Sequence, residues 1–111
     1  MAFESNLEMQ GSVAKITLEG ELDASVAQIL RDRIEEASNQ HAKKLALLME
    51  KLDYMSSAGL RTLVFAKQKM GSGVTIYLVG AQPAVSEAIR QTGFHHSVIM
   101  LPAYDAAVIE A

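Results

Sequence analysis

Five consecutive apolar residues, Leu45-Ala-Leu-Leu-Met49, constrain the fold more than any other stretch of this chain. The run is far too short to span a bilayer, which takes about 20 apolar residues. It also lacks the polar alternation of a strand with one wet face. It reads as a strand buried on both faces, which means a central place in a sheet covered by helices. The flanking sequence supplies the helices. Upstream, Val26, Leu30 and Ile34 recur every four residues beside Ile29 and Ala37, which predicts a helix from about Ala24 to Ser38. Ser25-x-x-Gln28 fits a capping box for it, with Asp23 as the alternative cap. Downstream, Ser57 to Met70 is helical in pattern, with Leu60, Leu63, Val64 and Met70 inward, and Gly71-Ser-Gly73 ends it.

The remaining segments extend the alternation of strands and helices. Phe3, Ser5, Leu7 and Met9 alternate with polar residues, and so do Ala14, Ile16 and Leu18. The short Gln10-Gly11-Ser12 link between them favours an antiparallel hairpin. Val74 to Val79 is a second buried strand. Pro83 fits the first position of a third helix, with Val85, Ala88 and Ile89 inward and Gly93 as its stop. Ser97 to Leu101 reads as a short last strand. Pro102 then opens a final helix, with Tyr104 or Ala107 and Val108 packing back. The order β-β-α-β-α-β-α-β-α predicts an α/β fold with a mixed sheet, in a single domain over residues 1–111.

Composition narrows the partners. The 111 residues carry a net charge of −3, half are hydrophobic, and none is cysteine. A mildly acidic chain without a basic patch is not expected to bind nucleic acid non-specifically. Without cysteine there are no disulfides and no zinc–thiolate sites, which fits a reducing cytoplasm. The start of the chain has no basic region followed by an apolar run, so no signal peptide and no membrane insertion are expected. The adjacent His95 and His96 lack an accompanying carboxylate cluster, so neither a metal nor another cofactor is expected.

The chemistry concentrates at Leu52-Asp-Tyr-Met-Ser-Ser-Ala-Gly-Leu-Arg61, between the buried strand and the second helix. A helix start leaves backbone N–H groups unpaired and carries about half a positive charge. Ser56 or Ser57 there can be an N-cap and nothing more. Three sharper readings compete with that one. A nucleophile elbow needs glycine two residues before the serine as well as two after, and Met55 stands where the first would be. A phosphate-cradling loop needs more glycine and a following lysine. A covalent switch needs only an accessible hydroxyl. Phosphate on Ser57 would add about 1.5 to 2 negative charges where the helix dipole tolerates them, and would change the surface offered to a partner. Ser57, Arg61, Phe65 and Gln68 or Lys69 share one side of the helix, a candidate docking face on which Phe65 is either a ring at the edge of the core or an apolar anchor for a partner. Asp23, at another strand-to-helix junction, reads as a cap or turn residue, or as a group that such a fold brings close to the Ser57 hydroxyl.

Three pieces together resemble a known family: Gly20-Glu-Leu-Asp23, the stretch from Leu52 to Arg61, and Gly80-Ala-Gln-Pro-Ala-Val-Ser-Glu-Ala-Ile…Thr-Gly-Phe94. In order and over nearly the whole chain, they are similar to STAS domains of the anti-sigma factor antagonist type. The resemblance implies a non-enzymatic bacterial regulator. Such proteins, when unphosphorylated, bind a serine kinase of the GHKL ATPase type that doubles as an anti-sigma factor. Phosphate on the motif serine releases them, and a PP2C-type phosphatase restores them. The modified serine lies two residues before the motif glycine, which makes it Ser57, with Gly59 the glycine and Asp23 and Ser56 beside the site. Ser56 stands where the family often has Asp. Leu48 stands where it often has Asp or Asn near the site. The same fold also serves kinases with non-sigma outputs and subunits of lipid or anion transport systems.

Overall fold

The computed structural model describes residues 2–111. Five strands form one sheet in the order β1-β2-β3-β4-β5. The edge strand β1 (Glu4–Gln10) pairs antiparallel with β2 (Val13–Leu22), and Gly11-Ser12 turns the chain between them. β3 (Lys44–Met55), β4 (Thr75–Val79) and β5 (Ile99–Leu101) follow in parallel. Each crossover carries a helix: α1 (Ala27–Asn39), α2 (Ser57–Met70) and α3 (Pro83–Gln91). A short α4 (Ala106–Ile109) ends the chain. The mixed α/β architecture is the one the alternation predicts.

Strand order and chain order are the same, so successive crossovers step across the sheet in one direction. Helices linked by crossovers of one hand then fall on one face. Side chains of α1, α2 and α3 accordingly share one core with Ala14, Ile16 and Leu18 of β2, Leu45, Leu47 and Met49 of β3, and Ile76 and Leu78 of β4. This corrects the expectation of helices over both faces of β3. The opposite face holds a smaller cluster of Val13, Ala46, Tyr77, Val79 and Ile109, with Leu48, Leu101 and Tyr104 against it. Tyr104 and Ile109 bring the C-terminal segment onto that cluster. Leu48 is on this side too, away from α2, so the apolar residue expected near Ser57 is not part of its surroundings.

β3 is longer than its apolar run. Register shifts against β2 fall between Thr17 and Glu19 and between Gly20 and Glu21, where β3 carries extra residues. These bulges bring Met49, Leu52 and Met55 to the helix-covered core at intervals of three, where a regular strand repeats every two. The strand therefore reaches Met55 and delivers the chain directly into α2.

Two helix starts differ from expectation. α1 begins at Ala27, and neither Ser25 nor Gln28 caps it. Asp23 instead accepts hydrogen bonds from the Ser25 backbone N–H at 2.9 Å and the Ser25 hydroxyl at 2.6 Å, closing a turn ahead of the helix. Gln28 reaches along the helix to Asp32 at 2.9 Å. α4 starts after Asp105, whose carboxylate accepts from the Ala107 N–H at 3.0 Å. Its buried residue is Ile109, and Val108 and Ala107 are exposed.

Candidate functional site

The site is assembled where the end of β2, the end of β3 and the start of α2 meet. Leu22 and Met55 are partners in the parallel ladder. One residue on, the Ser56 N–H donates to the Leu22 carbonyl at 2.9 Å and extends that ladder into the turn. Ser56 is still extended, with φ −83° and ψ 174°. Its hydroxyl accepts from the Gly59 N–H at 3.2 Å, and its carbonyl accepts from Leu60 N–H at 3.0 Å. Ser56 is therefore the N-cap of α2, and Ser57 is the first helical residue.

Gly59 explains how closely this corner is built. It is buried, and a Cβ on it would fall 2.7 Å from Leu22 Cγ and 2.9 Å from the Leu22 carbonyl oxygen. Only glycine lets the first turn of α2 lie on the end of β2. Gly71, with φ 77°, ends the same helix in a conformation open to glycine.

The two adjacent serines thus divide two tasks. Ser56 is half-buried and spends its hydroxyl on the helix. Ser57 is exposed, and its hydroxyl makes no hydrogen bond among the described residues. It opens into a shallow groove of about 170 Å³ between α2 and α3, lined by Met55, Ser56, Ser57, Leu60, Ala88, Gln91 and Thr92. No histidine, carboxylate or cation lines this groove. A hydrolase would need a general base within hydrogen-bond reach of Ser57.

Asp23 directly follows Leu22, so its backbone is at the same corner. Its carboxylate is engaged by Ser25 instead of Ser57. The Ser25 hydroxyl bond, partly opposed by desolvation, holds the Asp23 carboxyl below its ordinary value. Arg61 is exposed one turn beyond Ser57. Phe65 is only half-exposed; it packs against the core and lies under the Arg31 guanidinium, 4.0 Å from the ring centroid. Val64, expected inward, is instead 36% exposed. The outward stripe of α2 is Ser57, Arg61, Val64 and Gln68, and its apolar member is Val64. Three-four spacing fits Val64 and Phe65 almost equally well, and only the position of α1 decides between them.

Fold and site together define a class: a one-sided α/β sheet whose central strand feeds a capped helix with a free serine at its first position. A STAS-domain family model matches residues 4–107, and the chain belongs to that family. Solved structures agree on the fold. An anti-sigma factor antagonist from Mycobacterium paratuberculosis superposes with a TM-score of 0.89 at 21% identity, covering 99% of this chain and 96% of that one. The phosphorylated form of the Bacillus cell fate determinant SpoIIAA gives 0.72 at 24% identity, covering 98% and 97%. A sulfate transporter family protein from Wolinella succinogenes gives 0.76 at 17% identity, covering 91% and 85%.

Proposed function

We propose that this chain is an anti-sigma factor antagonist in a partner-switching pathway, a binding protein and a kinase substrate without catalysis of its own. Unmodified, it holds a cytoplasmic serine kinase of the GHKL ATPase type that doubles as the anti-sigma factor. The kinase moves the γ-phosphoryl group of ATP to the Ser57 oxygen, the hydroxyl gives up its proton, and ADP leaves. The modified chain lets go, and a PP2C-type phosphatase hydrolyses the phosphate ester to restore it. The observation that carries this reading is the division between the serines. Ser56 caps the helix, so Ser57 can be modified without uncapping it. The helix dipole at this position tolerates the new charge. Likeness to SpoIIAA, a protein solved in a phosphorylated form, supports the same reading.

The test is binding of the chain, before and after phosphorylation, to the serine kinase encoded nearest to it. A loss of about 100-fold, equivalent to about 3 kcal/mol, is expected on modification. Equal affinity of both forms would sink the switch. The Wolinella likeness favours one second reading, a structural subunit of an anion transport system. That reading expects a stable complex with a transporter and no phosphate on Ser57.

A further inference from the structure

α2 differs in charge from the rest of the molecule. It carries Arg61, Lys67 and Lys69 and no acidic residue, in a chain whose net charge is −3. α1 and α3 both carry glutamate. Two of the four arginines, both on α1, are engaged. Arg33 pairs with Glu36 at 2.5 Å, and Arg31 lies on the Phe65 ring. Arg61 is exposed and makes no ion pair, hydrogen bond or ring contact among the described residues. It stands four residues after Ser57, and such pairs on a helix have Cβ atoms about 5–6 Å apart. A guanidinium on its long stem reaches a phosphate at that spacing and can hold it with two parallel hydrogen bonds.

Resting on the reading of Ser57 given above, we infer that Arg61 is the residue through which the modification is felt. While Ser57 is unmodified, the unpaired Arg61, an exposed cation on the outward stripe of α2, receives a carboxylate from the docked kinase. Once Ser57 carries phosphate, the phosphate one turn away takes Arg61. The partner then loses its cation and meets an added charge of about −2. Both changes act in the same direction, and neither requires the backbone to move.

The phosphate half is tested on the chain alone. Phosphoserine is placed at position 57 during translation, in the wild-type chain and in Arg61→Gln, and each is titrated by phosphorus NMR. The second phosphate pKa, about 6 when free, is expected to be about half a unit lower with Arg61 present than in Arg61→Gln. The helix start, Glu21, Asp23 and Asp53 are the same in both chains, so the difference isolates Arg61. Equal values would overturn the pairing.

The partner half is tested with the unmodified chain and the neighbouring serine kinase. Arg61→Gln is expected to bind about tenfold more weakly, Arg61→Glu weaker still, and the wild-type complex to weaken as salt rises. Wild-type affinity in Arg61→Gln would overturn this half. A kinase that neither binds nor phosphorylates the chain would overturn it together with the proposed function, while the titration still decides the phosphate–arginine pair. Arg61 is exposed, so both variants should keep the wild-type circular dichroism spectrum.

Discussion

The two faces of the sheet are held by different physics. On the helix-covered face, Ile16, Leu18, Leu47, Met49 and Leu52 are fully buried, and three helices seal them. On the other face, the segment after β5 lies over a small cluster through one buried anchor, Ile109. Polar contacts hold the rest of it. Tyr104 donates to Glu110 at 2.5 Å, Gln10 to Glu110 at 3.0 Å, and Lys44 to the Ala111 carbonyl at 2.8 Å. Lys15 pairs with Glu110 at 3.6 Å and sits 4.4 Å over the Tyr104 ring. Such exposed pairs contribute about 0–1 kcal/mol each, whereas a buried aliphatic side chain contributes several times that. Ser57 is built on the first face. Its hydroxyl is free, but the backbone beneath it is fixed by the Leu22 ladder and the Gly59 contact, so a charge added there alters the surface and leaves the frame alone.

The sharpest break of this contrast is Leu47→Ala against Ile109→Ala. Leu47→Ala is expected to cost about 3 kcal/mol of global stability in urea unfolding. Ile109→Ala should cost about 2 kcal/mol or less, with hydrogen exchange quickening first in residues 102–111. Equal global losses would mean that both faces are one cooperative core. Gly59→Ala comes next, at about 2 kcal/mol, because its Cβ must displace Leu22 or lift α2 from β2. Ser56→Ala should cost about 1 kcal/mol through the lost cap, and Ser57→Ala close to nothing, as read from thermal unfolding.

The smallest effect is on pH. Burial pulls the Lys15 pKa down, but Tyr104 and Glu110 outweigh it and leave the value raised. Burial and the Glu110 hydrogen bond raise Tyr104. Groups raised on folding stabilise fully below their unfolded values and lose that stabilisation as pH climbs through the folded ones. As pH rises from neutrality, the C-terminal segment should therefore hold until about pH 10 and loosen above it. Its release near neutrality, followed by Tyr104 fluorescence against Tyr54 and Tyr77 controls, would contradict this clasp.

The same contrast explains what could be read from the sequence. The helix-covered face is written in periodicity: α2 runs from Ser57 to Met70, the span its spacing predicts. β3 beyond Met49 is hidden in the sequence because its bulges give buried residues every three positions, a period that belongs to neither a strand nor a helix. The start of α1 departs from its sequence pattern because Asp23 and Ser25 bond each other ahead of the helix. The exchange of Val64 for Phe65 on the outer stripe depends on where Arg31 of α1 comes to rest. The C-terminal clasp joins residues nearly a hundred positions apart, and no local pattern announces it. Within the site, a serine cap at the start of α2 is legible because capping is local chemistry, but the choice of Ser56 over Ser57 depends on where the Leu22 ladder ends. Asp23 is the turn residue its place at a strand end suggests, and its carboxylate faces Ser25 and not Ser57 because a neighbouring hydroxyl takes it.

In the proposed switch, one serine caps and the other is modified. The most direct test is peptide mapping by mass spectrometry after incubation with ATP and the neighbouring serine kinase, in the wild-type chain, Ser56→Ala and Ser57→Ala. One phosphate is expected on Ser57, retained in the less stable Ser56→Ala and absent from the fully folded Ser57→Ala. Phosphate on Ser56, or undiminished incorporation in Ser57→Ala, would contradict it.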